Sequence, residues 1–550
     1  MKSNGRKAQH NFSELPDVKV GRSSFNRSHG RKTTFDPGLI YPIFCDEVLP
    51  GDTHNLQMTA FVRMTTAIHP LMDNAYLDTH FFFVPNRLVW EHWKEFMGEK
   101  KSPGDTTEYV IPKVEPHMPE SGTIYDYYGL PIKTDDASII NPVISHSALP
   151  LRGYNLIYNE WFRDQNLQNW IPSHFNDGPD SKNLYHLKRR GKRHDYFTSC
   201  LPWAQKGNPV PIPGLGADSV VTTSVTEATW KSGYTFAYTG DISTEGTHWL
   251  KFGDLNDKNV TWNVGAGNDD KNKVAYIDPQ SATPLTYVTT STSVVNPAHS
   301  ATINQLREAF QIQKLMETDA RAGTRYTEML QAHFGVTSPD SRLQRPEYLG
   351  GGTSPLHIQQ VAQTSATSNS SPQAHLTGYG TISIKNHGFV QSFTEHGFMH
   401  GFMSVRADIT YHQGLHKMWS RETKWDHYFP KLAHLGEQAV LSQELYCDGD
   451  TVEDQKVFGY QERWAEYRYK NSDLTGLMRG HAPLNLTTWH LAQHFNTRPF
   501  LNETFIKEYP PFARVVAVPS QPIFIGDIYF KYISARPMPV YSVPGYIDHF

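Results

Sequence analysis

The ten residues Asn55-Leu56-Gln57-Met58-Thr59-Ala60-Phe61-Val62-Arg63-Met64 decide the fold. Leu56, Met58, Ala60, Val62 and Met64 alternate with Gln57, Thr59, Phe61 and Arg63. A period of two sends one set of side chains to a core and the other to water, so the stretch predicts a half-buried β-strand. Pro50-Gly51-Asp52 supplies the turn before it. Downstream, Tyr76 to Val84 carries Phe81-Phe82-Phe83 and stops at Pro85, which predicts a strand covered on both faces. Leu88, Val89, Trp93, Phe96 and Met97 then fall on one helical face, with Asn86 placed to cap the start and Gly98 to close the end. Alternation returns between Gly378 and Tyr411, where Met403, Val405, Ala407, Ile409 and Tyr411 share a face, and again from Ile523 to Ile533. Strands at both ends of a long chain have to find each other, and a β-sandwich interrupted by long insertions has this pattern.

The 550 residues correspond to about three to four domains or to one large domain with insertions. Lys plus Arg is 51 and Asp plus Glu is 55, a formal charge of -4, so no global field draws the chain to nucleic acid or lipid and any such contact must come from local clusters. Cys45, Cys200 and Cys447 are far apart and odd in number; no disulfide framework or CxxC knuckle can be read, and a reducing compartment is the simpler expectation. No apolar h-region follows Met1 to Lys7 and no run of 18 apolar residues occurs, so neither signal-peptide export nor a membrane span is expected.

Charge is divided unevenly. Residues 1–36 hold Lys2, Arg6, Lys7, Lys19, Arg22, Arg27, Arg31 and Lys32 against Glu14, Asp17 and Asp36, with Ser, Asn and Gly spacing and no apolar period. This reads as a flexible basic arm, able when fully extended to reach on the order of 120 Å. Residues 205–297 contain no Arg, Cys or Met, 14 Thr, and nine acids against six Lys. Short strands such as Thr235-Phe236-Ala237-Tyr238 and Val260-Thr261-Trp262-Asn263-Val264 predict a β-rich insertion that protrudes, the alternative being an ordinary second domain. After Pro297, a Thr302/Gln305 capping box with Ile303, Leu306, Phe310, Leu315 and Met316 at helical spacing predicts a helix that scaffolds the core. On this reading 37–204 is the first part of the sandwich, with helical insertions, and 298–550 contributes a helical insertion and the remaining strands.

Catalytic signatures are missing: there is no HExxH, GxxxxGK[ST] or GxSxG. Gly265-Ala266-Gly267-Asn268-Asp269-Asp270 carries two acids that would repel phosphate and reads as a surface turn. His396/His400 and His412/His416 have H-x3-H spacing, but each pair encloses a glycine, so packing or subunit contacts are expected rather than metal. The acids Asp448, Asp450, Glu453 and Asp454, and the group Asp254, Asn256 and Asp257, depart from EF-hand spacing. No cofactor is expected. The second basic cluster is more informative. Lys182, Lys188, Arg189, Arg190, Lys192 and Arg193 have no acid among them, and Tyr185, His186, His194, Tyr196 and Phe197 interleave. Cations for phosphates beside aromatic faces for bases meet the requirements of sequence-tolerant single-strand binding; the bland alternative is a solvated loop pairing with acids elsewhere.

The stretch His333-Phe334-Gly335-Val336-Thr337-Ser338-Pro339-Asp340-Ser341-Arg342-Leu343-Gln344-Arg345-Pro346-Glu347-Tyr348-Leu349-Gly350-Gly351 resembles the signature of gokushovirus major capsid proteins, from small single-stranded DNA phages of the microvirus family. Arg22-Ser23-Ser24-Phe25-Asn26-Arg27-Ser28, Pro50-Gly51-Asp52 with its following strand, His80-Phe81-Phe82-Phe83-Val84-Pro85-Asn86-Arg87-Leu88, and Phe495-Asn496-Thr497-Arg498-Pro499-Phe500 are similar to that family as well. The 205–297 stretch matches by position and character only.

The resemblance implies an eight-stranded antiparallel jelly roll with long helix- and loop-containing insertions. Sixty copies would form an icosahedral shell around circular single-stranded DNA, assembled in the host bacterial cytoplasm. It implies a surface protrusion for host attachment, for which Trp230, Tyr234, Tyr238, Trp249 and Trp262 are the candidates. For the inner, DNA-facing surface the candidates are Arg6, Lys7, Arg22, Arg27, Arg31, Lys32, Lys188, Arg189, Arg190, Lys192 and Arg193. Expected partners are further copies of the chain, the genome, a small basic internal DNA-binding protein, a pilot protein and a bacterial cell-surface receptor. The function would be assembly rather than catalysis. The rival reading is a secreted β-sandwich that binds or cleaves polysaccharide; a monomeric nucleic-acid-binding protein conflicts with the charge of -4.

Overall fold

The computed structural model describes residues 21–134, 141–173, 175–208, 210, 236–238, 248–250, 260–262, 273–275, 303–368 and 372–541. The chain divides into two compact units, residues 1–208 with 315–550, and residues 209–314. In chain order the strands of the larger unit begin with β1 (Ser23–Asn26), β2 (His29–Phe35), β3 (Tyr41–Val48), β4 (Thr53–Met64) and β5 (Ala75–Pro85). The smaller unit contributes β6 (Phe236–Tyr238), β7 (His248–Leu250), β8 (Val260–Trp262) and β9 (Lys273–Ala275), with β6 antiparallel to β9 and β7 antiparallel to β8. The larger unit resumes with β10 (Glu347–Pro355), β11 (His357–Ala362), β12 (Leu376–Ser392), β13 (Gly397–Ala407), β14 (Thr410–Tyr411), β15 (Glu437–Leu441), β16 (Val457–Glu462), β17 (Ser472–Asp473) and β18 (Phe524–Arg536).

Two antiparallel sheets carry the architecture. One runs β1-β18-β4-β12-β11, with β2 also on β18, and the other runs β10-β5-β13-β3. The alternation in β4 acts as its sequence predicts: Leu56, Met58, Ala60, Val62 and Met64 are buried, while Phe61 is 44% exposed. β4 lies between β12 and β18, with Ala60 opposite both Ile384 and Ile528, so strands from the two chain ends do pair. In β5 the pleat divides the apolar run. Leu77, Phe81 and Phe83 enter the core between the sheets together with Met58, Val62 and Met403. Phe82 and Val84 point the other way, into a second core with Trp90, Tyr154 and Phe402. The close approach at β13 requires glycine: a Cβ on Gly401 would lie 2.8 Å from Phe44 Cβ and from Phe81 Cε1.

Three local expectations are corrected. The segment 88–97 forms a single turn, Asn86–Leu88, and the four-residue helix α1 (Trp93–Phe96) instead of one helix. The Asn86 carbonyl accepts from both Val89 and Trp90 N–H, and the Trp90 indole donates to Asp177 Oδ1 at 2.8 Å, so Trp90 is drawn under the sheet and the helix cannot continue. Gly98, at φ 104°, does close it. The next helices are α2 (Ile124–Tyr127), α3 (Leu149–Ile157) and α4 (Ile303–Ala322). The α4 helix forms where its spacing predicts but is not core scaffolding: Ile303, Phe310 and Leu315 are 71%, 61% and 54% exposed, and Ala320 is its only buried residue. Within the basic arm, β1 and β2 are ordered sheet strands on β18, with Phe25 opposite Ser534 and Lys32 opposite Asp527. β1 and β2 are short and largely exposed, so edge pairing and not an apolar stripe holds them.

Candidate nucleic-acid interface

The second basic cluster is an extended strap. Arg190 N–H donates to Gly38 O at 2.9 Å and Ile40 N–H donates to Lys188 O at 2.9 Å on one side. On the other, Glu508 N–H donates to Arg190 O and Lys192 N–H to Ile506 O, both at 2.8 Å. Lys188 N–H is held further by the Tyr154 hydroxyl, 2.9 Å away on α3. Residues 38–40, 188–192 and 506–508 are thereby tied into one ladder.

The strap is not the run of free cations that its composition suggests. Arg190 Nη1 donates to Asp78 Oδ2 at 2.6 Å and to Ser404 Oγ at 2.7 Å, while Arg406 Nε donates to the same Asp78 oxygen at 2.8 Å and Thr353 Oγ1 to Oδ1 at 2.6 Å. Burial raises the pKa of Asp78, but the two guanidiniums outweigh it and hold the carboxyl below its ordinary value. Arg193 donates to Asp408 at 2.6 Å and lies over the Tyr76 ring. Lys192 is buried with its ammonium 4.4 Å from the centre of the Phe505 ring; burial brings its pKa down to about 8. Burial pushes the neighbouring Glu508 up to about 7 against the pull of Lys192.

Of the arm candidates, Arg27 grips Asp46 through both guanidinium nitrogens, and Arg31 donates to the carbonyls of Ile43 and Tyr127. Arg22, which donates to Thr53 Oγ1 and Ala535 O, and Lys32 are exposed. Arg6 and Lys7 lie outside the described residues. Arg27, Arg31, Arg190, Lys192 and Arg193 thus have partners within the subunit. Lys188 and Arg189 differ, since neither has a carboxylate partner among the described residues. Sequence reasoning missed Trp170, Lys507 and Tyr509 beside them. Lys507 meets the strap through a bridge to Gly191, and no local pattern signals a contact across about 300 residues.

Among the attachment candidates, Tyr238, Trp249 and Trp262 fall on β6, β7 and β8, while Trp230 and Tyr234 lie outside the described residues. Of the histidine pairs, His400 is fully buried with Nδ1 3.1 Å from the Tyr128 hydroxyl, and the His412 ring stacks on His494. Among the described residues no group of three His, Cys, Asp or Glu is arranged to hold a metal ion. The acids near 450 are clamped by Arg498, which reaches Asp448 at 2.7 Å and Asp454 at 2.8 Å.

An antiparallel β-sandwich with large insertions is consistent with the class of viral capsid β-sandwiches. Residues 13–546 match the family described as capsid protein (F protein). Similar relatives are the capsid protein VP1 of Bdellovibrio phage phiMH2K, 44% identical over 560 aligned positions covering all of both chains, and that of Chlamydia phage 1, 42% identical over 97% of each. The capsid protein VP1 of Spiroplasma virus 4 is 34% identical over 98% of this chain and 97% of its own. This chain belongs to the capsid protein (F protein) family. It is a major capsid protein of a small phage and a constituent of the virion, and the polysaccharide reading is not favoured.

Proposed function

We propose that the chain folds as an eight-stranded jelly roll and assembles in sixty copies into an icosahedral shell that encloses a single-stranded DNA genome. The observation that carries the fold reading is the order in which successive strands enter the two sheets. The β1/β2 pair is in the first sheet, β3 in the second, β4 in the first, β5 and β10 in the second, β11/β12 in the first, β13 in the second and β18 in the first. That order supports the jelly-roll reading, because a jelly roll is two Greek keys whose successive strands are shared between two sheets. Such subunits meet through loops, arms and exposed apolar surface, and many modest symmetric contacts sum to a stable shell.

For the genome, the exposed Arg22 and Lys32, together with Arg6 and Lys7, form the basic inner wall, and Lys188 and Arg189 extend it. The acidic, Arg-free 205–297 insertion, with Trp230, Tyr234, Tyr238, Trp249 and Trp262, is the host-attachment protrusion that meets a cell-surface receptor. A small basic internal protein and a pilot protein complete the particle. Cryo-electron microscopy of particles formed by the expressed chain, with mass and nucleic-acid content read from the same sample, tests this. Icosahedral particles with 205–297 outermost and the amino-terminal strands facing DNA are expected; a monodisperse monomer in the presence of genome and partner proteins overturns it.

A further inference from the structure

Beside the strap lies a cavity of ≈ 460 Å³ whose lining includes Trp170, His186, Lys188, Arg189, Lys507 and Tyr509. Four observations distinguish it from the other basic surfaces. Lys188 is 6% exposed, yet among the described residues its ammonium reaches only the His186 imidazole, 2.7 Å from Nε2 and 3.3 Å from Nδ1. The guanidinium of Arg189 donates to the backbone carbonyl of Glu508 at 3.2 Å and lies 4.0 Å from the centre of the Tyr509 ring. The one acid in the lining, Glu503, pairs with Lys507 at 2.7 Å and forms no ion pair with Lys188 or Arg189. Trp170 and Tyr509, 45% and 47% exposed, offer aromatic faces at the rim. Lys188 is pushed down to about 8 by burial and then by Lys507, with Glu503 opposing, the condition of a cation held where an anion is missing.

We infer that this cavity is a subsite for one nucleotide of a single-stranded DNA, with Lys188 and Arg189 on the phosphate and Trp170 and Tyr509 on the base. The inference rests on the reading of the protein as a shell around DNA and names where one strand is gripped. A phosphate oxygen supplies the acceptor that Lys188 lacks, and charge-assisted contacts of this kind are the strong ones. Aromatic faces take any base, which suits a genome of arbitrary sequence. The strap ladder fixes both cations in advance, so little ordering is required on binding.

The test is equilibrium binding of a fluorescein-labelled oligothymidylate to the full-length protein across a salt series, with inorganic phosphate as competitor. Each phosphate contact contributes about 0.7 to the slope of log affinity against log salt for single strands, so Lys188→Gln with Arg189→Gln shallows the slope by about 1.4, roughly a sevenfold smaller loss of affinity between about 50 and 200 mM salt. Trp170→Leu and Tyr509→Leu weaken binding by roughly five- to hundredfold without changing the slope. Lys32→Gln, outside the cavity lining, is the comparison for the general basic wall.

Wild-type binding whose slope is reduced by Lys32→Gln but not by the Lys188/Arg189 pair overturns the subsite and leaves the DNA reading intact; no binding of the oligonucleotide by any form removes the DNA reading itself. Inorganic phosphate competing fully at millimolar concentration, with no effect of Trp170→Leu or Tyr509→Leu, makes the cavity a site for free phosphate and overturns the nucleotide assignment. Thermal unfolding of each variant checks the fold, and if Lys188→Gln does not fold, Arg189→Gln with Tyr509→Leu carries the same test.

Discussion

Asp78 is where the strap is fastened to the sandwich, and Asp78→Asn is the perturbation that measures it. The carboxylate is 1% exposed and accepts from Arg190, Arg406 and Thr353. The asparagine is nearly isosteric but uncharged, and its amide must face a guanidinium. Removing one partner of a buried ion pair costs about 3–5 kcal/mol, because the remaining charge keeps its desolvation without compensation. The two guanidiniums are 12% and 18% exposed, so water reaches them in part and the lower end, about 3 kcal/mol, is expected. Arg193→Gln breaks the pair to Asp408, whose members are 44% and 37% exposed, and costs about 0–1 kcal/mol. Urea unfolding followed by tryptophan fluorescence reads both. The folded-state pKa of Asp78 lies below the ordinary 3.8, so its contribution is complete above that value and is lost as pH falls through the folded-state pKa. The Asp78→Asn deficit should therefore be constant across neutral pH and narrow only in strong acid. An Asp78→Asn loss no greater than that of Arg193→Gln would refute the view that the strap is an internal clamp.

Two further outcomes follow from the same geometry. Phe81→Ala, at a fully buried site between the sheets, should cost about 3–5 kcal/mol of unfolding free energy, whereas Phe61→Ser on the outward face of β4 should stay within about 0.5 kcal/mol; equal losses in urea titrations would contradict the assigned pleat. Glu508 has its pKa raised from 4.5 to about 7, so the folded state holds the extra proton between those values, and this group lowers stability as pH rises through that window. Glu508→Gln should remove that slope in stability measured from about pH 4.5 to 7, and a profile identical to wild type would discount the burial of this carboxyl.

The sandwich was legible because its strands alternate. The β4 pattern names its buried face, and Phe81-Phe82-Phe83 announces two covered faces, which the two cores on either side of β5 supply. The segment 88–97 misled because helical spacing is only permission to form a helix, and the Trp90–Asp177 hydrogen bond, between residues 87 apart, was decisive. The α4 helix misled differently: apolar spacing predicts a face, not what covers it, and Ile303 and Phe310 stay exposed in the isolated subunit. The basic cluster was legible as a cluster but not in its partners, since Asp78 and Asp408 stand 112 and 215 residues away from Arg190 and Arg193. The cavity could not be read for the same reason, because Trp170, Lys188 and Tyr509 meet only through the strap.

Charge counted along a chain and charge available to a ligand are different quantities. The strap carries five cations from Lys188 to Arg193, yet carboxylates neutralise Arg190 and Arg193, and burial holds Lys192 against Phe505. What is left for an external anion is the pair Lys188 and Arg189, set in a cavity and positioned by a backbone ladder. Fixing the other cations inside makes that pair a defined site rather than part of a diffuse field. A diffuse wall would bind any polyanion with an affinity that tracks net charge, whereas a positioned pair beside aromatic faces distinguishes a nucleotide from a bare polyphosphate. Inorganic polyphosphate and oligothymidylate of equal charge should therefore lose the same affinity on Lys32→Gln, but only oligothymidylate should respond to Tyr509→Leu; equal responses there would return the strap to a purely structural role.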